Sequence, residues 1–309
     1  MDVTIVPVRV VAAGVCGSDV QRFRAGFSLA SLGHELAGRH SVDGRLVAIR
    51  PLRPCLTCQA CSRGATEHCF MDASIGRNND GRGGFSGRVE VDSEQLYLLP
   101  AGMSAALATL ADPLACVLHA LRTVGTGSRV LILGDGAMAA LAAVRVRQLN
   151  AQRVTVVVKK PDRIERLARF ADEAVLTTDV AANSYDVVVE AIGGTSSEPI
   201  LIAVTAVAPL GQVVALGVYH AQATADLSVR QLLEKEATLR GSKAYRVNEV
   251  EDHFAEALDL LARHPGDFLP IITKVEPLPV EVPQSFAIER AHTLKVVYTL
   301  ETTADRIPL

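Results

Sequence analysis

The chain has 309 residues, 49% hydrophobic and 21% charged, which is ample for one large or two ordinary cores and excludes a largely disordered chain. Its net charge of -3 offers no basic field for a nucleic acid or an anionic membrane, so the expected partner is a small molecule. No run of about 18 uncharged apolar residues is present and the first residues lack a basic flank before an apolar run, so a soluble, cytoplasmic protein is expected.

The first third, to Leu121, is rich in Gly, Pro and Arg, and its short apolar runs VRVVAAG, LVAIRP and GRVEV predict strands separated by loops. From Ser128 the pattern alternates. RVLILG predicts a strand, residues 137–149 an Ala-rich helix, RVTVVV a strand and residues 161–170 a helix, which together read as βαβ units. YDVVVEAIG and GQVVALGV predict two further buried strands around a helix at 197–206, and ATLRGS with an amphipathic helix at 248–263 is expected to close this part. Beyond Pro265, PIITKVEPLP and TLKVVYTL again read as Pro-interrupted strands. The expected fold is therefore α/β: a doubly wound parallel sheet at 123–265 inserted into a discontinuous, mostly β domain made of 1–122 and 266–309.

Four of the six cysteines, Cys55, Cys58, Cys61 and Cys69, follow C-x2-C-x2-C-x7-C. Four thiolates so spaced can wrap one tetrahedral ion, and a Phe at position 70 rather than Pro argues for zinc over an iron–sulfur cluster. Four protein ligands leave no open position, so this metal is expected to hold shape.

Gly134-x-Gly136-x-x-Ala139 follows a predicted strand and opens a predicted helix, as a dinucleotide turn does. Ala137 and Met138 begin the helix whose N–H groups would face the phosphates, and the small Ala139 lets helix and strand pack. About 20 positions further on, an acid usually binds the ribose of NAD. Here Val158 is followed by Lys159 and Lys160. Two ammonium groups suit a 2′-phosphate, with Arg163 in reach of adenine or phosphate, so NADP is favoured over NAD. A solvated strand end is the plainer reading of the same lysines. Ala191, Ile192 and Gly193, and likewise Leu216, Gly217 and Val218, end two predicted parallel strands, where such sheets bind ligands.

Cys16-Gly17-Ser18-Asp19, Gly33-His34-Glu35, the cysteine loop, Gly83-Gly84-Phe85, Asp112-Pro113-Leu114, the Gly134 turn and Lys235-Glu236 together resemble, in order and spacing, the zinc-dependent medium-chain dehydrogenases of the alcohol, polyol and threonine dehydrogenase superfamily. The resemblance covers nearly the whole chain. It implies a GroES-like catalytic domain around a Rossmann domain, a catalytic zinc held by Cys16 and His34 with Asp112 as third ligand, and Glu35 as fallback ligand or base. It further implies Ser18 as first proton acceptor, strand-end backbones lining ribose and nicotinamide, Lys295 reaching the pyrophosphate, an alcohol or ketone substrate, and a homodimer or homotetramer. An open zinc position would lower the pKa of a bound alcohol so that hydride can leave its carbon.

The departures are specific. Asp112 stands where polyol and threonine dehydrogenases usually carry Glu, and Gln21 stands where a His often continues the proton relay. The chain begins about 25 residues later than its resemblance leads one to expect, by comparison with usual strand lengths. The stretch at 38–50 is also abbreviated, and Gly87-Arg88 replaces an acidic–aromatic pair. The expected reaction is secondary alcohol to ketone on a polyol, cyclitol, sugar or amino alcohol. The alternatives are a catalytically silent nucleotide- and zinc-binding protein and a zinc-free quinone-type reductase.

Overall fold

A computed structural model describes residues 4–71, 73–278 and 293–300. The expected catalytic segments 1–122 and 266–309 therefore extend outside the described residues at 1–3, 72, 279–292 and 301–309. The chain divides into two compact units, Met1–Ala115 with Tyr245–Leu309, and Cys116–Ala244. In chain order the strands are β1 (Ile5–Gly14), β2 (Glu35–His40), β3 (Leu46–Ile49), β4 (Arg88–Asp92), β5 (Leu96–Leu98), β6 (Arg129–Leu133) and β7 (Arg153–Val158). There follow β8 (Glu173–Leu176), β9 (Tyr185–Glu190), β10 (Val207–Ala215), β11 (Thr238–Gly241), β12 (Ile272–Pro277) and β13 (Lys295–Thr299).

The first unit is built on β1. Its early residues alternate between exposed and buried, with Val6 and Val8 inward, and from Val10 to Gly14 every residue is buried. This is the pattern of a strand that passes from a sheet wetted on one face to one covered on both. β1 pairs antiparallel with β2, β4 and β13, and the sheet runs β12-β13-β1-β2-β3-β5 with β4 alongside β1. Val8, Val10, Leu36, Ile49, Phe85 and Tyr298 form its core, the last two edge-to-face with centroids 5.8 Å apart. Burial of each such side chain is worth about 1.5–3 kcal/mol.

The helix His253–Arg263 belongs to this first unit, whereas the sequence reading gave it to the inserted one. Asp252 caps it through Ala255 N and also accepts from Tyr97 Oη at 2.8 Å, while Phe254 packs between the Tyr97 and Tyr245 rings at 4.9 and 6.0 Å. Amphipathic spacing identifies a buried face but not the core that covers it. At the other junction the division falls inside the helix Ala111–Leu121, ahead of the Gly-rich turn that composition suggested.

The cysteine loop is fastened to the segment after Tyr245. Arg246 clasps both carboxylate oxygens of buried Glu67 at 2.7 and 3.2 Å, Thr66 Oγ1 exchanges two hydrogen bonds with Val247, and Asn248 Nδ2 donates to Gly64 O.

The second unit is an all-parallel sheet ordered β11-β10-β9-β6-β7-β8. Its order reverses between β6 and β9, the place where doubly wound sheets open a ligand crevice at their carboxyl ends. Ala139 to Val144 of the helix Ala137–Gln148 are buried without interruption, since a helix this rich in Ala can lie close against the sheet.

Lys235 shows what the Lys-Glu motif does. Its buried ammonium donates to Val204 O, Thr205 O and Val207 O at 2.7–2.9 Å where the helix Glu198–Ala206 ends, joining Asn183 N on Thr205 O. Glu236, at φ 47°, turns the chain out of its own helix. Lys235→Met is expected to lower the unfolding free energy by about 3 kcal/mol, because three charge-assisted bonds to carbonyls at the helix end are lost. Urea denaturation followed by circular dichroism measures this; an unshifted midpoint would contradict the capping role.

Candidate active site and metal centres

The end of β1 and the start of β2 meet at Asp19. Cys16 precedes the helix Gly17–Arg24, and its N–H donates to Asp19 Oδ2 at 3.0 Å, a reciprocal cap across the first turn. Gly33 N donates to Asp19 Oδ1 at 3.1 Å, and His34 Nδ1 lies 3.2 Å from the same oxygen. One fully buried carboxylate thereby fixes the backbone before Cys16 and the ring of His34. Metal-binding histidines commonly rest on such an acid.

The sulfur of Cys16, a His34 ring nitrogen and a Glu35 carboxylate oxygen all lie within 4.8 Å of one another. Burial alone would lower the His34 pKa, but Asp19 and Cys16 pull it well above its ordinary value. The site thus draws positive charge to His34 in a soft-and-borderline donor set of thiol, imidazole and carboxylate, which fits a zinc ion. Ser18 sits half-buried in the first turn of the Cys16 helix.

Two of the expected roles look different in three dimensions. Lys295 Nζ lies 2.7 Å from both oxygens of Glu35 and 3.3 Å from Val15 O, and both side chains are buried. Its charge is thus engaged by Glu35, contrary to the expectation that it reaches a pyrophosphate. Gly14 makes the approach possible, since a Cβ there would collide with Glu35 Oε2. Breaking such a pair from one side costs about 3–5 kcal/mol.

Asp112 lies outside the Cys16–His34–Glu35 trio. It is buried in the first turn of its helix and accepts from Tyr245 Oη at 2.8 Å. Burial pushes its carboxyl up to about 6, against the opposing charge of His34 and with the help of Glu35. The sequence names Asp19 only as part of the Cys16–Asp19 motif, with no role of its own, and does not mark Tyr245. The Cys-x-x-Asp spacing could have revealed Asp19, as a helix cap; nothing in the pattern around Tyr245 marks it.

In the cysteine loop the four sulfurs lie within 4.8 Å of one another, those of Cys58 and Cys69 at 4.0 Å, and all are free of disulfides. Four sulfurs around zinc at about 2.3 Å stand about 3.8 Å apart. Cys55 N donates to Cys69 Sγ and Cys58 N to Cys55 Sγ. Hydrogen bonding led by Thr57 brings the Cys55 thiol down to about 6, while burial pushes Cys61 to about 12. A cation is needed to make all four thiolates, and the spacing accommodates one.

In the second unit Gly134, at φ 138°, ends β6, and Gly136 caps the helix Ala137–Gln148. Ala139 is fully buried, while Ala137 and Met138 remain partly open at the helix start. Lys159 and Lys160 are exposed at the end of β7. Arg163 and Arg166 are not: Arg163 Nη1 binds Asp135 Oδ2 at 2.6 Å and Arg166 Nη2 donates to Asp135 O. Glu190, buried at the end of β9, accepts from Ile192 N and Gly193 N, and its carbonyl accepts from Leu216 N and Gly217 N. That residue, also missed, pins both strand-end loops together and leaves Ile192 and Val218 exposed.

Two family models match the chain: the alcohol dehydrogenase GroES-like domain over residues 4–101 and the glucose dehydrogenase C-terminus over residues 116–300. A 2-dehydro-3-deoxy-L-galactonate 5-dehydrogenase from Pseudoalteromonas atlantica is 27% identical, spanning 89% of this chain and 84% of the relative. An L-idonate 5-dehydrogenase (NAD(P)(+)) from Escherichia coli is also 27% identical, spanning 94% and 90%. Among solved structures, galactitol-1-phosphate dehydrogenase from Escherichia coli superposes with a TM-score of 0.81 at 25% identity, covering 96% of this chain and 92% of that one.

Two substitutions separate the metal centres. Cys58→Ser is expected to lose the loop's zinc and much of the fold, because a closed site couples metal binding to folding. Asp19→Asn should keep the fold while weakening metal retention at Cys16 and His34 by about 10–100-fold. Elemental analysis paired with thermal melts distinguishes these outcomes.

Proposed function

The chain belongs to the zinc-dependent medium-chain dehydrogenases, and we propose that it interconverts a secondary alcohol and a ketone of a polyol, cyclitol, sugar or amino alcohol by hydride transfer. The observation that carries this reading is the donor cluster of Cys16, His34 and Glu35, with Asp112 and Tyr245 close to its charge. The two curated relatives above are named for sugar acids, and others for sugar alcohols such as galactitol 1-phosphate and D-altritol, in keeping with a hydroxyl-rich substrate. The reading includes a cytosolic homo-oligomer. Among the described residues no helix is long and apolar enough to cross a membrane.

When bound, zinc supplies a Lewis acid for the substrate oxygen and the nicotinamide supplies or accepts hydride. The protein does the rest. Asp19 orients the ligand-bearing segments, and Ser18 takes the alcohol proton at its hydroxyl. Gln21 cannot titrate as His does, so the proton leaves through water or cofactor hydroxyls. Asp112 is the better third ligand. Glu35 already carries a full ammonium from Lys295, whereas Asp112 has the neutral phenol of Tyr245. A carboxylate whose burial is not offset by its own cation gains more from a metal.

The turn at Gly134 and the start of the helix Ala137–Gln148 would cradle the pyrophosphate, and the loops at 191–193 and 216–218 the nicotinamide half. Lys159 and Lys160, with Arg163 behind them, support NADP(H) over NAD(H), since a 2′-phosphate rewards clustered cations.

Purified protein assayed against polyols, aminocyclitols and hydroxy amino acids with NAD+ and NADP+ should show turnover, by the absorbance of reduced nicotinamide. Asp112→Ala should cost about 100-fold or more in activity and lose zinc, a loss of roughly 3 kcal/mol of transition-state stabilisation, while Glu35→Gln retains the metal. The opposite pattern of zinc retention would make Glu35 the ligand. Tight nucleotide binding with no turnover on any substrate class would favour the silent-protein alternative.

A further inference from the structure

The glycine-rich turn carries a charge that it does not need for its shape. Asp135, between Gly134 and Gly136, presents a carboxylate where the phosphates of a dinucleotide are expected, and this is an unfavourable place for an anion. Its charge is taken up by Arg163, four residues beyond Lys159, in the region after β7 where doubly wound sheets discriminate between cofactors. The pair is tight and only 16% and 21% exposed. Arg163 Nε is buried with no hydrogen-bond partner, so the guanidinium retains a donor that Asp135 does not use. Arg166, on the next turn, donates to the Asp135 carbonyl and brings a second guanidinium to the same place.

From this arrangement we infer that Asp135 sets the cofactor ratio, by competing with the 2′-phosphate of NADP(H) for the Arg163 guanidinium. This rests on the nucleotide reading above and deepens it. A phosphate monoester carries more charge than a carboxylate and is the stronger acceptor for an arginine fork. It can take Arg163 only by displacing Asp135, however, and it leaves that carboxylate partly bare beside the phosphates. The apparent affinity for the 2′-phosphate is therefore reduced by the fraction of Arg163 already engaged. A cofactor with a 2′-hydroxyl makes no such demand, so the pair stays closed and NAD(H) binds at its intrinsic affinity. The outcome is a dehydrogenase whose preference between the two cofactors is narrower than its cluster of cations suggests.

The test is the dissociation constant of NADPH and of NADH, read by nucleotide fluorescence on the full chain with its metals, for the unmodified protein, Asp135→Asn, Arg163→Ala and the double variant. 2′,5′-ADP and 5′-AMP serve as fragment probes that report on the adenosine end alone. Asp135→Asn is expected to tighten NADPH and 2′,5′-ADP about tenfold while moving NADH and 5′-AMP less than about twofold, and the gain should vanish when Arg163 is also removed. An unchanged NADPH-to-NADH ratio, or a gain that survives the loss of Arg163, overturns the inference. So does a loss confined to NADH and 5′-AMP, which would place the Asp135 carboxylate on the ribose hydroxyls. Asp135→Ser gives the same comparison if the Asn variant does not fold. Tighter NADH than NADPH in the unmodified protein counts against the NADP(H) reading alone, because the change on substitution is measured from whatever preference the protein starts with.

Discussion

The candidate active site depends on one buried carboxylate. Asp19 has no exposed surface, and its two oxygens are shared by Cys16 N, Gly33 N and the ring of His34. Cys16 follows β1 and His34 immediately precedes β2, so the pairing of these strands brings their ends together but does not orient the side chains. Asp19 does both for a single buried charge. Its cost is offset by the imidazole beside it: burial raises the Asp19 pKa, and the charge and hydrogen bond of His34 bring it below the ordinary range. Ligand geometry and local folding are thus one interaction.

Two buried lysines show how environment assigns a role that sequence leaves open. Lys235 meets three neutral carbonyls and Lys295 meets a carboxylate. The first arrangement ends a helix. The second balances charge beside the candidate metal site, where Lys295 contacts both oxygens of Glu35 next to Cys16 and His34. It also explains why Gly stands at position 14: the carboxylate needs the space that a side chain would fill.

Much of this architecture was legible in the sequence. Period-2 and continuous apolar runs placed most strands, and the alternation after Ser128 announced the parallel sheet. The cysteine spacing and the turn at Gly134 carry their chemistry in local pattern, so they could be read locally. What escaped was contact between distant segments. Tyr245 reaches Asp112 across 133 positions and Lys295 reaches Glu35 across 260. The helix His253–Arg263 shows an apolar face whose covering partner Tyr97 is likewise remote. Asp135 was passed over for a different reason: glycine spacing defines the turn, and the residue between the glycines is free to vary, so its charge draws no notice until Arg163 is seen beside it.

The position of β13 gives the molecule an order of assembly. It lies between β12 and β1 in the first sheet, so that sheet closes only when a strand from near residue 299 meets one that begins near residue 5. The second unit, in contrast, is one continuous stretch of chain. During synthesis the parallel sheet has all its strands while Ala12 to Gly14 of β1, paired with β2 on one side, still lack β13 on the other. Among the described residues, closing that sheet is the strand pairing of highest sequence separation, and it is expected to be the slow step. Lys295 opens the same strand, so Glu35 acquires its counter-charge with that closure. The buried carboxylate is consequently completed last, when the chain that will enclose it is already in place.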